Sequence, residues 1–235
     1  IIGCAYLLKK IRKNKVIRII TNIFTVLILL GCIAGICGIA YFAYVIVTEA
    51  PEWDPKVLNT KETTILYDSK GTEFAELGTE KRELIAYSDS SENLINAIIA
   101  VEDSRFFTHN GFDPLRFFKA GVGQVLGNSD AGGASTLSMQ VVKNSFTDKY
   151  GQFTQMNSSG IKRKFTDIYL AVFKLEKEYS KEAIFEYYIN NHFLGNNSYG
   201  VEQAAETYFG KKASQLTLSE AALIAGMFQA PSSYD

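Results

Sequence analysis

The sequence predicts a mostly α domain, preceded by one transmembrane helix and a short connector that contains a β-hairpin. Three observations carry that expectation. From Ile19 to Val47 no residue is charged, a run of 29 positions. After Ser91, apolar residues recur at helical spacing, and cap residues punctuate the segments. Strand-like patterning is confined to the stretch between Pro51 and Ser91.

The uncharged run comes first. Roughly 20 apolar residues suffice to cross a bilayer. "FTVLILLGCIAGICGIAYFAYVIV" also carries the small residues and terminal tyrosines common in membrane helices. Lys9, Lys10, Arg12, Lys13, Lys15 and Arg18 precede it or flank its start, and Glu49, Glu52 and Asp54 follow it. The positive-inside rule then places the N-terminus in the cytoplasm and the rest outside the cell membrane, as a single-pass protein. A cleaved signal peptide would have a shorter apolar core. "LLGC", Leu29 to Cys32, is similar to a lipoprotein cleavage box, but the apolar run continues for 15 residues past Cys32. An uncleaved anchor is therefore expected. The bounds are a basic tail over 1–18, the membrane helix over 19–47, an extracytoplasmic connector over 48–90 and a helical domain over 91–235.

Charge and cysteine narrow the function. The net charge of −1 is an average of two unequal parts, because all 25 acidic residues lie beyond residue 48. An acidic outer part excludes a general polyanion binder, so no nucleic acid is expected and any anionic ligand needs a local basic cluster. Cys4, Cys32 and Cys37 all lie in the tail or the membrane run. The outer domain thus has neither disulfide nor thiol chemistry.

Within the outer part, "TTILYD" and "TEFAEL" flank "SKG" as a hairpin with a glycine-containing turn. "ENLINAIIAVEDSRFF" has helical spacing, and its two acids stand where the helix stops. Residues 121–134 hold five of the chain's 18 glycines and are expected to be mobile. "ASTLSMQVVKNSF" forms a helix after a Ser/Thr start, and a polar break follows at 150–160. "KRKFTDIYLAVFKLEKEYS" and "SKEAIFEYYINNHF" are two helices, the second capped by Ser180. "GVEQAAETYFG" stops at Gly210. "LTLSEAALIAGMFQAP" opens on a capping box from Thr217 to Glu220.

Three clusters could carry chemistry. Glu102 and Asp103 are neighbours whose side chains diverge by about 100° on a helix, so they cannot grip one proton as a facing pair. One is expected to face the core and the other a basic partner. By position alone, acids that end a helix for solubility are the simpler explanation, and His109 beside aromatics is the pattern of a hydrogen-bonded structural histidine. In "GGASTLSMQVVKN", glycines before Ser135 and Thr136 bring backbone N–H groups and hydroxyls toward a ligand. Thr136, Gln140, Lys143 and Asn144 then share a face, which could equally be a solvated one. "KRK", Lys162 to Lys164, is a concentrated positive patch, and arginine can clamp phosphate with two parallel hydrogen bonds.

Taken together and in order, these residues resemble a known family. From about residue 60 onward, the chain is similar to the peptidoglycan glycosyltransferases of the lysozyme-like fold, found in class A penicillin-binding proteins and in monofunctional transglycosylases. Glu-Asp-x-x-Phe-x-x-His-x-Gly stands whole as Glu102, Asp103, Phe106, His109 and Gly111. Gly-Gly-x-Ser-Thr-hydrophobic-x-x-Gln with a following Lys-Asn stands as Gly132 to Asn144. Arg-Lys-x-x-Glu is matched by Arg163, Lys164 and Asp167. Lysine followed by Ile-x-Glu-x-Tyr-x-Asn is matched by Lys181, Ile184, Glu186, Tyr188 and Asn190. Three departures stand out. Asp167 is one methylene shorter than the family's glutamate, the helix from Asp167 to Lys181 is one residue longer, and Met139 stands where many members have glutamine.

The resemblance implies a substrate, lipid II, a disaccharide-peptide on undecaprenyl pyrophosphate, polymerised into β-1,4-linked glycan by inverting transfer. A hydroxyl nucleophile needs a base. A pyrophosphate leaving group needs cations rather than an acid. Glu102 is the implied base, with Asp167 the second catalytic carboxylate. Asp103 and His109 hold the loop. Lys143, Arg163 and Lys164 meet the pyrophosphate, with or without a divalent ion (Mg or Mn), so no cofactor is obligatory. Ser135, Thr136, Gln140 and Asn144 line the cleft. Partners are lipid II, the growing chain, the bilayer and cell-wall synthesis proteins, and Phe112, Leu115, Phe117 and Phe118 could dip into the outer leaflet. Two alternatives are a lytic enzyme using a single glutamate and a catalytically impaired homologue serving as a cell-wall scaffold. No Lys-Thr-Gly triplet is present. The chain is therefore expected to be the N-terminal piece of a bifunctional penicillin-binding protein, with a monofunctional enzyme as the alternative.

Overall fold

Helix α1 (Lys15–Glu49) is one uninterrupted run of 35 residues. Such a run satisfies its own backbone N–H and C=O groups, which is what lipid demands of a spanning segment. Its threonine hydroxyls are turned inward as well. Thr21, Thr25 and Thr48 donate to the carbonyls of Ile17, Thr21 and Tyr44 at 3.0, 2.8 and 2.8 Å. Among the described residues it is the one helix long and apolar enough to cross a membrane. The computed structural model describes residues 15–58, 63–77, 81–127, 133–149 and 160–231. The basic tail before Lys15, the centre of the glycine-rich stretch at 128–132, the polar break at 150–159 and the last four residues lie outside them. The chain divides into two compact units at Glu49/Ala50.

The second unit opens with a short 3₁₀ turn, Pro55–Leu58, and then the hairpin. Strands β1 (Thr64–Tyr67) and β2 (Glu73–Leu77) pair antiparallel, with Thr64 opposite Leu77. Asp68 makes the turn, because its carboxylate accepts the N–H groups of Lys70 and Thr72 at 2.8 Å each. A second, two-residue pair is parallel: β3 (Lys81–Arg82) lies beside β4 (Ser198–Tyr199). Among the described residues, every other named element of this unit is helical.

Most helices start where the sequence places a cap. Ser91 accepts the Leu94 N–H and opens α2 (Glu92–Glu102). Asp113 accepts the Arg116 N–H, and Pro114 takes the first position of α3 (Pro114–Val125). Gly121 and Gly123 lie inside α3 rather than in a loose segment. With aspartate and proline to start it, the helix tolerates glycines that cost about 1 kcal/mol each. Thr136 accepts the Met139 N–H at 3.2 Å and opens α4 (Leu137–Lys149).

Helix α5 (Gly160–Leu170) runs on through a π-helical turn, Ala171–Leu175, into a last turn, Glu176–Glu178. A π turn is how an α-helix absorbs one extra residue, and it falls inside the stretch that is one residue longer than the family pattern. Ser180 caps α6 (Lys181–Asn191). Helix α7 (Val201–Phe209) ends on Gly210 in the left-handed conformation, and α8 (Leu218–Met227) carries the reciprocal Thr217–Glu220 capping box.

Burial decides how these helices assemble. Helix α8 packs on α2, and α4 packs on both α6 and α5. Leu94 and Ile98 of α2, Ile184 and Ile189 of α6, and Ile224 of α8 are fully buried. Helix α4 contributes Leu137, Met139, Val141 and Val142 to the same core. Met139 is therefore a core side chain, not a cleft residue.

One glycine is demanded by close approach. Gly111 has φ +78°, and a Cβ there would stand 3.0 Å from the Ala171 carbonyl carbon and 3.1 Å from Glu176 Cγ. The loop after α2 thus rests directly on the π turn of α5. Gly127 has φ +71° with open space around it. Gly127→Ala should cost about 1–3 kcal/mol through backbone strain alone, whereas Gly111→Ala should cost more because backbone must move. Thermal melts in detergent micelles check the order. Equal losses in Tm would mean that the Gly111 contact yields without cost.

Candidate active site

The site begins where α2 ends. Glu102 is its last residue and Asp103 its C-cap, with extended backbone at φ −157°. That turn sends the two carboxylates apart. Asp103 is fully buried. Its oxygens sit 3.0 and 3.2 Å from His109 Nε2, and Oδ2 also accepts the Leu137 N–H at 3.0 Å. Arg116 Nη1 lies 3.7 Å from Oδ1. Leu137 is the first residue of α4, so the carboxylate occupies a helix N-terminus, where exposed N–H groups favour negative charge. The Thr136 hydroxyl donates to the Gly111 carbonyl at 2.7 Å. The loop carrying Phe106, His109 and Gly111 is thereby bolted to the start of α4.

Glu102 points elsewhere and keeps only 8% of its surface exposed. Its Oε2 accepts Gln140 Nε2 at 2.8 Å. The phenol of Tyr188 lies near it. Burial, and then the charge of Glu102, push that phenol far above its ordinary range. Its hydroxyl is buried and has no partner among the described residues. The ring is fixed by stacking on Phe228, with centroids 4.9 Å apart.

One turn further along α4, Asn144 Nδ2 approaches His192 Nδ1 at 3.4 Å. His192 Nε2 lies 3.2 Å from the Phe228 carbonyl. Burial, with a smaller push from Lys143, lowers this imidazole to about 4, against the Phe228 bond that raises it. It is neutral at pH 7, so Nε2–H donates to Phe228 and Nδ1 accepts from Asn144.

The cations gather on α4 and α5. Asp167 is buried, and burial raises its carboxyl to about 6 against the opposing charges of Arg163, Lys164 and Lys143. Burial pushes the Lys164 ammonium down, Asp167 pulls it back up, and Arg163, Lys143 and Arg116 push it further down. Lys164 Nζ also donates to Ser135 Oγ. Arg163 Nε is buried without a partner among the described residues. Beneath the loop, Glu176 Oε1 accepts both the Ser138 hydroxyl and, at 2.7 Å, Lys181 Nζ. Lys181 lies 4.4 Å from the centre of the Phe106 ring.

The structure therefore brings the residues singled out in the sequence into two sets joined by α4. Glu102 and Gln140 form one, with Asn144 beside them. Ser135, Lys143, Arg163, Lys164 and Asp167 form the other. Asp103, His109 and Thr136 hold the loop and the helix start together. Sequence reasoning missed Arg116 and His192, and it gave no role to Tyr188. Tyr188 stands in the fourth motif, but nothing local marks Arg116 or His192, since each acts on groups far away in the chain. Chemically, a buried carboxylate with one oxygen held and a separate cationic patch can take a proton at one end and steady a departing anion at the other.

Comparison with known proteins identifies the family. A profile of the Transglycosylase family matches residues 70–235. Penicillin-binding protein 1A/1B of Bacillus subtilis (strain 168) is 37% identical over 215 residues, which is 91% of this chain and 22% of that protein. Penicillin-binding protein 1A of Clostridium tetani (strain Massachusetts / E88) is 36% identical over 232 residues, 96% of this chain and 28% of that protein. The chain thus spans about a quarter of the length of these curated relatives. A crystal structure of penicillin-binding protein 1A from Haemophilus influenzae aligns with a TM-score of 0.36 at 25% identity, over 75% of this chain and 15% of that one. With the family's profile matched over most of the sequence and relatives 36–37% identical along nearly all of it, this chain belongs to the transglycosylase family and carries the transglycosylase domain of class A penicillin-binding proteins.

Proposed function

We propose that the chain polymerises lipid II into β-1,4-linked glycan, as the membrane-anchored glycosyltransferase part of a bifunctional penicillin-binding protein. The observation that carries this reading is the pairing of the buried Glu102 carboxylate, oriented by Gln140, with the cationic group of Lys143, Arg163 and Lys164 across the same helix. In the reaction, Glu102 takes the proton of the acceptor sugar's 4-hydroxyl. That oxygen forms a bond to the anomeric carbon of the lipid-linked chain from the face opposite the leaving group. The bond from the anomeric carbon to pyrophosphate oxygen breaks, and the pyrophosphate departs with the electron pair toward the cations. A glycosidase would need two carboxylates flanking the bond. Here Asp167, another buried acid, sits among cations instead. It holds Arg163 and Lys164 in place.

A divalent ion (Mg or Mn) at the pyrophosphate is not obligatory for this reading. Asp167 is surrounded by ammonium and guanidinium groups, and no group of three or more His, Cys, Asp or Glu among the described residues could hold a metal. The steps above use protein groups alone.

The bilayer is the natural source of both substrates. Helix α1 supplies the anchor, with the N-terminus cytoplasmic and the domain outside by the positive-inside rule. Helix α3 supplies a further apolar surface. Leu115, Phe118 and Leu126 are 64%, 69% and 76% exposed, and Phe118 and Leu126 border a groove of about 670 Å³. Phe112 and Phe117 are only half-buried and meet each other edge to face at 5.3 Å, which shapes that groove.

Three outcomes follow from this assignment. Glu102→Gln should reduce polymer made from lipid II by at least ~10²-fold while leaving circular dichroism unchanged. Near-normal polymer on a gel would remove Glu102 from the base role, whereas no polymer from wild type would favour the scaffold alternative.

The Asp167 carboxyl, raised from 3.8 to about 6 by burial, is neutral in both folded and unfolded chains at low pH. Its ionisation then costs folded-state stability as pH rises from about 4 to about 6. Wild type should therefore lose stability relative to Asp167→Asn across that window, as read by denaturant melts. The acid limb of the rate profile should also lose its inflection near 6 in the variant.

Phe118→Glu with Leu115→Glu should slow polymerisation of lipid II in vesicles severalfold and leave the rate in detergent micelles nearly unchanged. An equal loss in both media would make these side chains part of the fold rather than of a membrane contact.

A further inference from the structure

Arg116 belongs to none of the motifs that carry the resemblance, yet it touches two of them. It sits in the first turn of α3, where Asp113 Oδ1 holds its backbone N–H at 3.0 Å. The same carboxylate takes the guanidinium of Arg105. Arg116 Nε donates to the carbonyl of Gly133 at 2.7 Å. Its Nη1 donates to the carbonyl of Glu102 and lies 3.7 Å from Asp103 Oδ1. Its side chain is only 25% exposed. One guanidinium thus joins the last residue of α2 to the segment that leads into α4.

Each contact has a physical reason. The Glu102 carbonyl ends a helix, so no intrahelical N–H reaches it. Gly133 lies outside any helix, two residues before Ser135. A guanidinium offers five donors in a rigid plane and can serve both carbonyls at once, which a lysine ammonium on a flexible stem does not reproduce. The two segments it joins carry opposite ends of the chemistry. Glu102 is on one, and Ser135, bonded to Lys164, is on the other. Lys164 also feels the charge of Arg116.

We propose that Arg116 is a positioning residue: it clasps the end of α2 to the 133–136 segment and so sets the spacing between the Glu102 carboxylate and the Ser135–Lys164 pair. This rests on the reading of Glu102 as the base and of the Lys164 side as the place where pyrophosphate departs. The clasp matters because a displacement of about 1 Å between reacting groups can cost 10²-fold in rate.

The test uses the whole chain in detergent micelles, with Arg116→Lys, Arg116→Gln and Ser135→Ala made singly and the arginine changes combined with Ser135→Ala. Arg116→Lys keeps the charge and removes the fork. It should lower kcat for lipid II polymerisation by ~10-fold or more with much less change in KM. Amide hydrogen exchange at Leu137 and Met139 should rise. Adding Ser135→Ala should cost less than the product of the two single losses, because both act on one spacing. Normal kcat in Arg116→Lys would make Arg116 a charge and overturn the proposal, as would independent, multiplicative losses. Should Arg116→Lys fold poorly, Arg116→Gln, which can still reach one carbonyl, is read by the same criteria. If wild type makes no polymer, the functional reading fails, yet exchange still decides the clasp. Unchanged protection at Leu137 and Met139 would sink it.

Discussion

The buried carboxylate of Asp103 is the contact on which the site depends. A fully desolvated carboxylate is costly unless it is bonded on all sides. Here it meets the N–H of Leu137 at the start of α4, the imidazole of His109 and, at longer range, the guanidinium of Arg116. Those three partners come from three separate stretches of chain. Satisfying one charge therefore fixes the end of α2, the loop that follows it and the beginning of α4. Because Glu102 is its covalent neighbour, the direction of the Glu102 side chain is set by the same bonds.

Helix α4 converts that local order into a working surface. One face, from Leu137 through Val142, is core and cannot rotate without exposing apolar area. The other face is left to Gln140, Lys143 and Asn144, each with a separate task. Gln140 holds one oxygen of Glu102, Asn144 is steadied by neutral His192, and Lys143 faces Asp167 and its arginine and lysine neighbours. Gln140, which meets Glu102, and Lys143, which faces the other cations, are thus about one helical turn apart on a rigid element. Bases and leaving-group charges that act together need that arrangement.

The departures from the family pattern have physical homes in the fold. Met139 is absorbed by the core. The extra residue between Asp167 and Lys181 lies where α5 takes a π-helical turn, and the loop at Gly111 packs on that turn. The turn lies beyond Asp167 and before Glu176. Asp167 can then face the cations while Glu176 still reaches Ser138 and Lys181 beneath the loop that follows α2. The shorter aspartate is nonetheless buried, which shows in the upward displacement of its carboxyl.

By itself, the sequence determined whatever follows from short-range physics. The uncharged run specified α1, the caps at Ser91, Ser180 and Thr217 specified helix starts, and the "SKG" turn specified the hairpin. The two acids marked the end of α2, because each of these signals acts within about one helical turn. The same locality misled at Gly121 and Gly123, where glycines suggested a loose segment and the Asp113–Pro114 start prevailed. Only the tertiary structure decided which of two adjacent buried carboxylates meets His109 and Leu137 and which meets Gln140. It alone placed Thr136 against Gly111 rather than open to a ligand, and it alone brought Arg116, Tyr188 and His192 to the site. Those outcomes depend on groups tens of residues apart, whose meeting is fixed by helix packing and by the need to satisfy buried charge, and no local pattern encodes either.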